Sequence, residues 1–81
     1  MYELTKEDIQ KNKVGTIPQY YILDYLKKNL NIDEFKIYLI DRNNIKIVDK
    51  TNDILYFSCE DDTKEITYSE TLKTNDIEIT I

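Results

Sequence analysis

Ile54-Leu55-Tyr56-Phe57-Ser58-Cys59 is the stretch whose reading decides the fold. Six residues pass there with almost no polar relief. Read with a period of two, Ile54, Tyr56 and Ser58 fall on one face and Leu55, Phe57 and Cys59 on the other. A half-exposed strand alternates apolar with polar, whereas a strand covered on both faces runs apolar throughout. The run therefore predicts a central strand at 54–59, with weaker amphipathic segments docking around it.

Those segments lie on both sides. Upstream, Phe35, Ile37 and Leu39 alternate with Lys36, Tyr38 and Ile40, which predicts a strand over 35–40. The polar cluster Asp41-Arg42-Asn43-Asn44 turns the chain into a second strand, 45–49, carrying Ile45, Ile47 and Val48. Lys50-Thr51-Asn52-Asp53 then leads into the central run. Downstream, Glu60-Asp61-Asp62-Thr63-Lys64 precedes a strand over 65–71, and Ile77, Ile79 and Ile81 alternate with Glu78 and Thr80 in a last strand, 77–81. Five strand-like segments separated by short polar turns read as an antiparallel meander.

The N-terminal third changes period from 2 to 3.6. Thr5 precedes Lys6-Glu7-Asp8, an N-cap followed by acidic residues that complement the positive end of a helix dipole. A helix of about 5–12 follows, with Gly15 as the break. Thr16-Ile17-Pro18-Gln19 has the form of a capping box with proline in the first turn, and opens a helix of about 17–30. Ile22, Leu26 and Leu30 recur at i, i+4 and i+8, with Leu23 broadening the stripe and Lys27 and Lys28 in the last turns. The expected fold class is α+β: two N-terminal helices covering one face of an antiparallel sheet.

At 81 residues the chain supports a single domain, 1–81, with a small core. One cysteine excludes an internal disulfide framework and fits a reducing compartment. The first residues lack the basic start and apolar run of a signal peptide, and no apolar stretch approaches the about 20 residues needed to span a bilayer. The expected location is cytoplasmic, with no membrane contact. Ile, Lys, Asn and Tyr supply 37 of the 81 residues while alanine, histidine and tryptophan are absent, the imprint of an A/T-rich coding sequence such as that of a low-GC bacterium, its phages or its plasmids.

Charge is placed unevenly within a net −5. Residues 1–48 carry eight basic and seven acidic side chains, whereas residues 49–81 carry three and nine. An acidic half disfavours the phosphate backbone of nucleic acid and favours a basic surface on a protein partner.

Catalysis has few groups to draw on. Without histidine there is no Ser-His-Asp or Cys-His arrangement and no ordinary proton shuttle near neutral pH. Cys59, in an apolar strand followed by Glu60-Asp61-Asp62, reads as a buried side chain rather than a nucleophile. Glu60, Asp61, Asp62 and Glu65 cluster oxygen ligands, but their spacing matches no calcium loop and the required glycine is missing. A solvated turn, or part of an acidic docking patch with Asp53, Glu70 and Glu78, is the better reading. No catalytic residue, cofactor or metal is expected. Tyr20, beside Gln19 at the helix start, is the tyrosine expected to be exposed and available to a partner.

These features favour a small acidic, non-catalytic protein-binding module, an inhibitor or immunity-type protein of a phage or mobile element that blocks a basic surface. Two alternatives use other parts of the chain. The helix pair and following strands have the outline of a winged helix-turn-helix DNA-binding regulator, although the second helix offers no Lys or Arg before Lys27. The strand Ile77–Ile81 could join two copies, giving a homodimer or a self-assembling structural subunit.

Overall fold

The computed structural model describes residues 2–71 and has the expected α+β architecture. In chain order it comprises β1 (Tyr2–Glu3), α1 (Lys6–Gln10), α2 (Ile17–Asn29), a 3-10 turn (Ile32–Glu34), β2 (Phe35–Asp41), β3 (Asn44–Asp49), β4 (Ile54–Cys59) and β5 (Ile66–Ser69). The strands form one antiparallel sheet in the order β1-β2-β3-β4-β5. The expected strand 77–81, and with it the proposed dimer contact, lies outside the described residues.

Local chemistry explains where the helices begin. The Thr5 hydroxyl accepts from Asp8 N at 3.0 Å while the Asp8 carboxylate accepts from Thr5 N at 3.1 Å, a complete capping box. Helix α1 stops at Gln10 rather than near residue 12, because Asn12 takes a left-handed conformation (φ 54°) that reverses the chain. The break is made by Asn12, whose side chain tolerates that conformation, and not by Gly15, which keeps a negative-side backbone. At α2 the Thr16 hydroxyl accepts from Gln19 N at 3.2 Å, with proline in the first turn. The reciprocal half of that capping box is absent: the Gln19 side chain turns instead to Gly15 N and to strand β2.

Helix α2 lies across β3 and β4 and buries Ile22, Leu23 and Leu26. Leu30, expected on the same stripe, is the extended C-cap residue and is exposed. Lys27 ties the helices together, its ammonium donating to Ile9 O and Asn12 Oδ1, each at 3.0 Å. Under α2 the sheet contributes Ile37, Ile45, Ile47, Phe57 and Cys59 to one core with Leu4 and Ile9.

The centre of the sheet is β3, not β4. Ile45 is 0% exposed and Ile47 2%, whereas Ile54 on β4 is 39% exposed. β3 has a long strand on each side and the helix above it, so its inward side chains lose all contact with water. Among the described residues β4 is covered on one face only: Phe57 and Cys59 are buried, while Tyr56 and Ser58 are half-buried on the other. Its unbroken apolar run reflects Ile54 and Tyr56 lining a sheet surface over which the described residues place no second layer. A first strand at Tyr2–Glu3 was not predicted; with two paired residues it is too short to show a period, and it is recruited by β2 and by Leu4 N donating to Ile37 O at 2.8 Å.

Candidate functional site

The first turn of α2 is fastened to the hairpin between β2 and β3. Thr16 Oγ1 donates to Arg42 O at 2.6 Å, and buried Gln19 spans the gap, donating from Nε2 to Asp41 O at 2.6 Å and accepting from Gly15 N at 2.8 Å. The hairpin needs only Arg42 and Asn43 to reverse, with an irregular register between Leu39 and Asp41. Asp41 Oδ1 steadies it by accepting from Asn43 N at 3.0 Å and Asn44 Nδ2 at 2.7 Å. Asn43 then exchanges bonds with Cys59, Nδ2 to Cys59 O at 2.8 Å and Cys59 N to Asn43 O at 3.0 Å.

That last exchange brings the acidic turn between β4 and β5 to the same end of the molecule. Glu60 N donates to Glu65 O, and Lys64 N to Glu60 O, each at 3.0 Å; Lys64 reverses the chain at φ 60°. Arg42 holds Asp61 with two donors, Nη2 to Oδ1 at 3.2 Å and Nε to Oδ2 at 3.4 Å. This bond, with help from Asn43 and Lys64, lowers the Asp61 pKa below the ordinary aspartate value. Lys64 donates to Asp61 O at 2.5 Å and lies 5.9 Å from the centre of the Tyr21 ring. Tyr21 meets Tyr20 edge-to-face with ring centres 6.0 Å apart.

One end of the protein therefore collects exposed Ile17, Tyr20 and Tyr21 from α2 and Glu60, Asp61, Asp62 and Glu65 from the turn. Five of the six predicted site residues meet there. Asp61 is neutralised by Arg42, while among the described residues no cation lies at ion-pair distance from Glu60, Asp62 or Glu65. Sequence reading missed Arg42, Lys64 and Tyr21 as parts of this end, because nothing local links a hairpin tip at 42 to turns at 16 and 61.

Glu70 lies elsewhere. It borders a cleft of about 470 Å³ at the opposite end of β4, with Asp49 and Asp53 as further carboxylates above Phe35 and Leu55. Asp49 is occupied by its own turn, its Oδ1 accepting from Thr51 N (2.8 Å), Thr51 Oγ1 (2.7 Å) and Asp53 N (3.0 Å), and these bonds, Thr51 Oγ1 foremost, lower its pKa. Among the described residues no group of acidic or cysteine side chains is placed to hold a metal ion.

Cys59 is 1% exposed, and burial raises its thiol pKa, aided by Asp61 and Glu60 and opposed by Lys64. A thiol held protonated in a closed core is a packing group. Gln19, the polar residue that a winged-helix reading would aim at a base edge, is buried and bonded at both ends of its amide. No described helix is long and apolar enough to cross a membrane. Compared with protein-family models, curated proteins and solved structures, the chain finds no match.

Proposed function

We propose that this protein is a non-catalytic binding module that docks on a basic surface of a partner protein through the end built by α2 and the β4–β5 turn. One observation carries the reading: Ile17, Tyr20 and Tyr21, each at least 40% exposed, lie at the same end as Glu60, Asp62 and Glu65, tied to their turn by Lys64 5.9 Å from the Tyr21 ring. Among the described residues no cation pairs with those three carboxylates. Amphipathic rings supply contact area at low entropic cost, and the charges steer a basic partner and fix its register. The rigid mounting of α2 on the hairpin means that little ordering entropy is lost on docking. Small size, acidity and A/T-rich coding support an inhibitor or immunity-type role in a phage or mobile element, and the single buried thiol fits a reducing cytoplasm.

The test is affinity capture from lysate followed by a Kd series with the purified captured protein. Changing Glu60, Asp62 and Glu65 together to Lys is expected to weaken binding strongly at low salt and much less at high salt. Tyr20→Ala is expected to weaken it by about 2 kcal/mol at either salt concentration. Unchanged affinity in both variants would overturn the proposal.

A further inference from the structure

The sheet face away from the helices has the opposite character from the acidic end. Cross-strand register aligns Glu3, Tyr38, Lys46, Tyr56 and Ser69 in one row over all five strands. Lys36, Val48 and Ile54 form the adjoining row. At a strand spacing of about 4.8 Å, the two tyrosines of the row stand about 10 Å apart with a lysine between them. The Lys46 ammonium lies 4.9 Å from the centre of the Tyr38 ring.

Two lysines, Lys36 and Lys46, stand on this face against one carboxylate, Glu3 at its β1 edge, so its charge leans in the reverse sense. Most described cations are engaged: Lys6, Lys11, Lys28, Arg42 and Lys50 pair with carboxylates, and Lys27 and Lys64 hold backbone carbonyls. Among the described residues Lys36 and Lys46 have no carboxylate at ion-pair distance and, unlike Lys27 and Lys64, hold no backbone carbonyl, a condition that only Lys13 shares. A groove of about 370 Å³ runs from Lys36 and Tyr38 past Val48. The acids bordering it are already occupied: Glu34 pairs with Lys50 at 3.3 Å, Asp33 with Lys6 at 3.9 Å, and Asp49 accepts within its turn.

We infer that this open face is a platform for single-stranded nucleic acid, with bases stacking on Tyr38 and Tyr56 and phosphates meeting Lys46 and Lys36. Half-buried aromatic rings on a sheet face that no described helix covers, interleaved with lysines that pair with no carboxylate, supply the two requirements of such a strand: π-faces that accept any base, and positive charge along the backbone. A duplex does not fit, because its bases are already stacked and its denser phosphates meet only two lysines against a chain of net −5. The platform shares no residue with the proposed protein-docking end, so either proposal can fail while the other stands.

The experiment is a fluorescence-anisotropy titration of a short labelled oligothymidylate at low ionic strength, with folding of every variant checked by circular dichroism. Saturable binding is expected, weakened about tenfold by Tyr38→Ala or Tyr56→Ala and retained by Tyr38→Phe and Tyr56→Phe. The slope of log K against log salt is expected to be about −1.4, falling to about −0.7 in Lys46→Gln. The surface variant Lys46→Gln keeps the test decisive even if an alanine variant unfolds. The proposal is overturned by absence of binding, by a duplex of equal length binding as tightly, or by a salt slope that Lys46→Gln leaves unchanged. Displacement of the oligonucleotide by a polyglutamate peptide would also overturn it, assigning the face to an acidic protein segment.

Discussion

Arg42 grips Asp61 across nineteen positions of sequence, with Nη2 3.2 Å and Nε 3.4 Å from the two carboxylate oxygens. The pair joins two turns that belong to different hairpins, and it removes one negative charge from the end that otherwise presents Glu60, Asp62 and Glu65. Both side chains are largely exposed, so the bond contributes little to folding. Its effect is on the field of the surface.

Arg42→Gln is therefore expected to leave the melting temperature nearly unchanged and to tighten binding to a basic partner several-fold at low salt, mostly through a faster association rate. Stopped-flow association kinetics at two salt concentrations would check this. A slower association would show that Arg42 itself contacts the partner.

Gln19 holds α2 to the sheet with both ends of its amide. Gln19→Leu leaves the Gly15 N–H and the Asp41 carbonyl without their partner at a part-buried position. The expected cost is about 2 kcal/mol, within the range for an orphaned buried polar group. Urea unfolding measures it; a loss below about 0.5 kcal/mol would mean that water replaces the amide at both bonds.

The position of the sheet centre can be tested by paired truncations. Ile45→Ala removes a fully buried side chain from β3 and is expected to cost about 3–4 kcal/mol. Ile54→Ala, 39% exposed on β4, is expected to cost less than about 1 kcal/mol. Equal losses would place β4 at the centre after all.

The acid limb of stability follows from Asp8, Asp49 and Asp61. Asp8 is lowered by the Thr5 backbone N–H and by the Tyr2 hydroxyl, which donates at 3.0 Å; Asp49 by Thr51 and the Asp53 backbone; Asp61 by Arg42. A carboxylate whose folded pKa is depressed contributes stability that is fully present above its unfolded value, about 3.9. That contribution is lost as pH falls through the lower folded values. With no histidine, no side chain has its ordinary pKa between about 5 and 8. The melting temperature is thus expected to be flat across that range and to fall below about pH 4, with Asp49→Asn flattening part of the fall. A midpoint of loss near neutral pH would contradict this.

Much of the fold was legible because its signals are local. Thr5 and Thr16 mark helix starts through bonds made within three residues, and the alternation in Phe35–Asp41 and Asn44–Asp49 records which side chains face α2. The candidate site was legible only in part. The acidic turn stood out as a run of charge, and Tyr20 as a tyrosine at a helix start. That Tyr20 and the turn share one end depends on pairings such as Thr16–Arg42, Gln19–Asp41 and Arg42–Asp61, which lie 26, 22 and 19 positions apart.

The sequence by itself determined the element types, most of their limits, the α+β class and the absence of histidine chemistry, since these rest on caps, periodicity and composition. Only the tertiary structure decided that β3 is central, that Asn12 rather than Gly15 turns the chain, and that Gln19 works as a brace. It also decided that Tyr38, Lys46 and Tyr56 fall in one row. Those outcomes belong to strand order and register, which are set by which long-range pairings bury the most apolar surface, and no stretch of sequence read alone contains that comparison.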